Sequence, residues 1–95
     1  MKKAIQRWQS SILTMEELWY DKDDEDELYM DIAAREDVNE NTLTAEELLE
    51  LEKLDHRFRL ALYPALRKAK LVEYYKRHGL EHSLKEWWWH VKEKE

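Results

Sequence analysis

A chain of 95 residues with one glycine and one proline has very few sites at which it can turn sharply. All-β folds need a turn about every 8–12 residues, and those turns draw on Gly, Pro and Asn. Helices need few such residues, and the abundant Leu, Glu, Lys, Ala and Arg are good helix formers. The expected fold class is therefore all-α: a small bundle of about four to five helices in a single domain, residues 1–95. Apolar content of 43% is too high for disorder despite 40% charged residues.

Sequence signals divide the chain as follows. A short helix is expected near residues 2–11, and a second beginning at Met15 with Thr14 as N-cap and Glu17 at the third position. An elbow falls in the acidic run Asp21 to Glu27, where like charges three or four apart repel. Asp24 then caps a helix reaching about Glu36, with Glu27 at its third position. Thr44-Ala45-Glu46-Glu47 and Ser83-Leu84-Lys85-Glu86 also read as capping boxes. The pattern L-T-x-E-E-L occurs at both 13–18 and 43–48; it fits a duplicated hairpin and, equally, two ordinary helix starts.

The strongest periodicity begins at Ala45. Leu48, Leu51, Leu54, Phe58, Ala61, Leu62, Ala65, Leu66, Ala69 and Val72 stay on one side of a single helical wheel. The phase survives Pro64, and Tyr63 before it is a poor N-cap. One long, Pro-kinked helix over about 45–78 is expected, ended by Gly79 with Lys76, Arg77 and His78 in its last turn. A final helix is expected from Leu84 to about Lys92.

Charge is unevenly distributed. Residues 1–13 carry +3, residues 14–52 carry −14, residues 53–78 carry +6 and residues 79–95 carry −1. Acidic helices lying antiparallel to a basic helix would satisfy this internally. Fields of this kind also speed association and select partners when they face outward. The acidic pole, Asp21, Asp23, Asp24, Glu25, Asp26 and Glu27, is the expected partner-binding face. The basic set Arg57, Arg59, Arg67, Lys68, Lys70, Lys76 and Arg77 is the alternative, as a nucleic-acid surface. A net charge of −6 opposes that alternative at long range.

Two further features exceed what one core needs. On a helix, Trp87, Trp88 and Trp89 would sweep about 200°, so they cannot share a buried stripe. Leu84, Trp87, Trp88 and Val91 form such a stripe, which leaves Trp89 outside as a candidate interface anchor. Leu49, Leu60 and Leu71 recur every eleven residues away from the main stripe of the long helix. They are candidates for self-association, which makes a homodimer the expected state.

Motifs for catalysis are absent: there is no Gly-rich phosphate loop, nucleophile elbow or H-E-x-x-H helix. His78 and His82 have the spacing of a metal-binding pair, but a helix end at Gly79 is expected to spoil it. Glu52 and His56 share a face, yet carboxylate–metal bundles need several more inward ligands. Asp21 to Glu27 lacks the glycine and the final glutamate of a calcium loop. No cofactor and no metal are expected. Lack of cysteine suits a reducing compartment. With no apolar stretch of spanning length and no secretory signal visible, the expected location is cytoplasmic.

The resulting expectation is a non-enzymatic, acidic, protein-binding or regulatory helical protein. It would act through its acidic helices and C-terminal tryptophans, an inhibitor or antitoxin-like adaptor being one form. Nucleic-acid binding through 57–77 and a structural role as a small subunit of a larger assembly are the alternatives.

Overall fold

A computed structural model describes residues 2–21 and 24–93, so Lys22 and Asp23 of the acidic run lie outside the described residues. The fold is an all-α bundle: α1 (Lys3–Glu16), α2 (Glu25–Ala33), α3 (Ala45–Ala69) and α4 (Val72–Gly79). Short 3-10 turns follow α2 at Ala34–Asp37 and Glu40–Thr42, and a third holds Trp87–Trp89. Among the described residues no helix is long and apolar enough to cross a membrane.

The first expected helix, 2–11, extends to Glu16, and no separate helix begins at Met15. Ile5, Trp8, Ile12 and Met15 keep a continuous 3–4 spacing, and all are fully buried. This packing overrides the cap signal at Thr14, whose hydroxyl instead donates to the Ser10 carbonyl one turn back. α1 ends in a Schellman arrangement: Trp19 N–H bonds the Thr14 carbonyl and Leu18 N–H that of Met15, with Leu18 left-handed at φ 55°. The repeated L-T-x-E-E-L segments therefore lie at opposite ends of helices, the first closing α1 and the second opening α3. A duplicated hairpin would put them at equivalent positions.

α2 starts where the sequence places it, but Asp24 does not cap it. Its carboxylate accepts from the Asp21 backbone N–H at 2.6 Å instead. At α3 the box forms in full: Glu47 N–H donates to Thr44 Oγ1 (3.2 Å) and Thr44 N–H to Glu47 Oε1 (2.9 Å). The helix runs through Pro64, which lies on an exposed side. It does not reach residue 78. Lys70 adopts a left-handed φ of 60°, with Lys70 N–H bonding the Arg67 carbonyl and Leu71 N–H that of Leu66. The reversal brings Leu71 into the core, and α4 follows.

α1 packs along α3. Lys2 reaches Thr42, Trp8 contacts Asp55 and Phe58, and Arg57 pairs with Glu16, so α1 and the first part of α3 run the same way. Charges do pair across elements, as Arg7–Asp37, Arg57–Glu16, Arg35–Asp55 and Arg67–Glu93. The stripe on α3 is buried from Leu51 onward, whereas Leu48 in its first turn stays exposed.

No helix forms over 84–92. Ser83 Oγ accepts from the Lys85 N–H in a local turn, and the Trp87–Trp89 segment is a single 3-10 turn. Three adjacent tryptophans on an α-helix would leave one ring in solvent. The tighter turn buries Trp89 (2% exposed) and half-buries Trp87 and Trp88, while Leu84 of the expected stripe is 83% exposed. Tyrosine hydroxyls pin the segment: Tyr63 donates to the Val91 carbonyl and Tyr75 to that of Trp88, both at 2.7 Å. Gly79 is the last residue of α4, not a left-handed cap. A Cβ there would collide with the Trp89 backbone carbonyl oxygen, so glycine is required by close approach of the C-terminal segment.

One core cluster joins the four helices and Trp89. The radius of gyration, 13.0 Å, is close to the roughly 12 Å of a compact domain of this length.

Candidate functional site

A concavity with a volume near 680 Å³ lies between α4, the end of α3 and the C-terminal segment. Tyr63, Tyr75 and Trp89, all buried, close it from below. Leu80 and Leu84, 85% and 83% exposed, border it. Lys76, His90 and Lys92 add polar positions around the opening. The groove depends on the short α4: the chain leaves the helix at Gly79, turns, and returns so that the Trp89 carbonyl meets that glycine. Isolated exposed leucines are ordinary, and these two flank an aromatic-floored groove.

The expected site residues fall differently. Trp89 is not an exposed anchor; its indole N–H donates to Glu36 Oε1 at 2.9 Å and its ring stacks on His82 at 4.6 Å. Trp87 and Trp88 are half-buried, with the Arg35 guanidinium over both rings. Asp21, Glu25, Asp26 and Glu27 are exposed, while Asp24 is half-buried. They form an acidic pole at the start of α2, without ion-pair partners among the described residues. Leu49 (60%) and Leu60 (54%) are exposed as expected, but Leu71 is 3% exposed and cannot line a surface with them. Trp19 and Met30 are also exposed, and neither lines the groove.

Of the basic set, several members are engaged within the chain. Arg57 pairs with Glu16 and Arg67 with Glu93, while Arg59 lies over Trp87 at 4.3 Å and Arg77 over Tyr74 at 5.4 Å. Lys68, Lys70 and Lys76 are exposed.

Sequence reading missed two polar clusters. In the first, the buried Arg35 sends Nε and Nη2 to the two oxygens of Asp55 at 3.0 and 3.2 Å, and Trp8 Nε1 also donates to Asp55 at 3.0 Å. An arginine in an acidic stretch, aligned with an aspartate twenty residues on, carries no periodic signal. The second cluster contains the histidine pair that Gly79 was expected to separate. The helix does end at Gly79. However, Glu81 N–H bonds the His78 carbonyl and His82 N–H that of Gly79, so the turning chain keeps the rings together. His78 Nε2 and His82 Nε2 are 2.9 Å apart, and His82 Nδ1 lies 2.6 Å from Glu86 Oε2.

Burial shapes the ionisation of a third group of residues. The Asp31 carboxyl lies above the usual carboxylate range because desolvation opposes its charge, although the Tyr20 and Ser11 hydroxyls donate to it. Tyr20 and Tyr75 are pushed up by burial, and Tyr29 reaches about 12 for the same reason. The protonated phenols of Tyr20 and Tyr75 are structural donors, to Asp31 and to the Trp88 carbonyl, whereas the buried Tyr29 hydroxyl meets no hydrogen-bond partner among the described residues.

No protein family, curated protein or solved structure matches this chain.

Proposed function

We propose that the chain is a non-enzymatic protein-binding module that receives a short amphipathic segment of a partner in the groove beside α4. The observation that carries this reading is the pairing of Leu80 and Leu84 with an aromatic floor in a concavity of about 680 Å³. Peptide-in-groove recognition uses a few apolar anchors in such a depression. Lys76 and Lys92 at the opening, where the lining Glu93 is already paired with Arg67, favour carboxylates flanking those anchors. The acidic pole on α2 would repel acidic segments from the wrong face and so direct them to the groove. Trp89 serves this reading as floor, and Trp87 and Trp88 as supports of the segment that forms the wall.

The groove offers little for catalysis. The Tyr63 and Tyr75 hydroxyls are committed to backbone carbonyls. His90 Nε2 lies 3.1 Å from the carbonyl oxygens of both His82 and Ser83, which makes it a donor to the turn. Self-association has narrower support, because burial of Leu71 reduces the expected strip on α3 to Leu49 and Leu60. A stable interface buries roughly 1,200–2,000 Å² in total, beyond what two leucines supply.

Selection from a displayed random-peptide library tests the proposal. The expected result is enrichment of peptides with two or three apolar anchors and neighbouring Asp or Glu, lost when Leu80→Glu and Leu84→Glu are combined. Both positions are exposed, so the double variant should retain its helical circular dichroism. Absence of enrichment, or enrichment indifferent to these substitutions, overturns the reading. Loss of binding in Leu49→Glu/Leu60→Glu instead, with a matching drop in molar mass by light scattering, would assign the contact to a second copy.

A further inference from the structure

Two segments far apart in sequence bring carboxylates and imidazoles together beside the turn after α4. Glu36 comes from the 3-10 turn that follows α2, His78 from the end of α4, and His82 and Glu86 from the turn between α4 and the tryptophans. One potential ligand atom each from Glu36, His82 and Glu86 lies within 4.8 Å of the other two. Glu81 approaches His78 Nδ1 at 3.9 Å, adding a third carboxylate to the neighbourhood. Neither Glu36 nor Glu86 pairs with a lysine or arginine among the described residues. Three carboxylates gathered around two imidazoles repel one another, and a bound cation would offset that repulsion.

We propose that Glu36, His82 and Glu86 bind one divalent transition-metal ion of the zinc class, with His78 orienting the His82 ring.

The hydrogen-bond arrangement of His82 supports this division of roles. With the metal on His82 Nδ1, on the side of Glu86 Oε2, the proton must sit on Nε2, which then donates to His78 Nε2 at 2.9 Å. A ligating histidine commonly donates its second ring N–H to an acceptor that fixes tautomer and orientation. Trp89 fixes the same ring from its face, stacked at 4.6 Å and 15°. Its indole N–H also holds Glu36 Oε1 at 2.9 Å, which leaves that carboxylate's other oxygen for a cation. The ligand atoms are now spread up to 4.8 Å. Metal–ligand bonds near 2.0–2.2 Å would set separations of about 3–3.5 Å, so the farther atoms close in while Glu86 Oε2 backs off from its present 2.6 Å to His82 Nδ1.

Imidazole together with carboxylate suits zinc, nickel, cobalt and iron, whereas oxygen-only sites suit calcium and magnesium. Three protein ligands leave a position open, so the site is expected to bind moderately and to exchange. Its occupant would tie the 34–37 turn to the 80–86 turn. This site does not depend on the peptide groove, although the 80–86 turn also carries Leu80 and Leu84.

The test is equilibrium dialysis of the purified chain against micromolar zinc, with elemental analysis and a thermal melt. Cobalt serves as a spectroscopic probe, since a low-symmetry nitrogen–oxygen site gives visible absorption bands. The proposal requires one zinc per chain, a raised melting midpoint, and cobalt bands that zinc displaces. Glu36→Gln, Glu86→Gln and His82→Asn should each weaken zinc binding at least tenfold and abolish the bands. His78→Gln should weaken it less, since that residue acts through His82. The exposed His56 is the control, and His56→Asn should leave binding unchanged. Circular dichroism of the metal-free variants separates lost binding from lost fold. No stoichiometric zinc on a folded wild-type chain, or equal affinity in the ligand variants, overturns the proposal.

Discussion

Removal of the Asp55 carboxylate should be among the most damaging single changes in this protein. Arg35 is 2% exposed, and its guanidinium meets Asp55 through two parallel hydrogen bonds, with a weaker contact to Glu40 at 3.3 Å. Trp8 donates its indole N–H to the same carboxylate. Asp55→Ala therefore strands a buried cation and a buried donor together. Breaking one side of such a pair costs about 3–5 kcal/mol, against a total stability of roughly 5–14 kcal/mol for a chain of this length. At about 4–8 °C per kcal/mol for small domains, the melting midpoint should fall by roughly 12–40 °C. Asp55→Asn keeps one acceptor and should lose about half as much. Arg35→Met combined with Asp55→Leu removes both charges and should cost well under the sum of Arg35→Met and Asp55→Leu alone, because buried pairs couple strongly. Urea melts followed by far-ultraviolet circular dichroism provide the cycle without relying on tryptophans that contact Arg35. An Asp55→Ala variant within about 1 kcal/mol of the parent, or a coupling energy near zero, would refute the argument that this pair is buried and mutually dependent.

Three further outcomes follow from local geometry. Gly79→Ala, normally a gain of about 1 kcal/mol inside a helix, should here destabilise by about 1–3 kcal/mol because the new Cβ meets the Trp89 carbonyl; a raised urea midpoint would contradict this. Lys70→Gly should stabilise by up to about 1 kcal/mol and so raise that midpoint, since a side chain is disfavoured at φ 60°; a lowered midpoint would show that the Lys70 stem matters more than its backbone. Asp31 has a folded pKa raised above its unfolded value, so the native state binds its proton more readily and stability falls as pH rises from about 4 through the folded value. Asp31→Asn should remove that component, so the stability difference between parent and variant shifts in the variant's favour across this window and then levels off. Parallel pH profiles in urea melts would contradict it.

Much of the fold was legible because two signals are local. Heptad-like spacing from Leu51 to Ala69 depends only on helix geometry, and Thr44 with Glu47 satisfies each other's amides without outside help. The same cap pattern at Thr14 and Ser83 misled because packing decided otherwise: Ile12 and Met15 continue a buried stripe across the first, and the tryptophan segment prefers a tight turn beyond the second. The end of α3 was illegible because lysine occupies the left-handed position that usually announces itself as glycine. The one glycine in turn owes its place to a carbonyl ten residues away. Leu71 and Trp89 were assigned outward on the assumption of helices that extend over them, and both reversed when those helices stopped. The site clusters fared worst. Glu36 and His82 meet only through tertiary contact, as do Arg35 and Asp55. The i, i+4 spacing of His78 and His82 was visible, but its survival through a helix end was not.

The groove beside α4 is the centre of this account. Backbone amide shifts in a ¹⁵N-labelled sample, titrated with a peptide obtained from the library selection, test it most directly. Changes should concentrate at Gly79, Leu80, Leu84, Val91 and Lys92 and leave Leu49, Leu60 and residues 24–27 unmoved. Changes confined to the acidic turn or to the exposed leucines of α3 would place the contact elsewhere and contradict it.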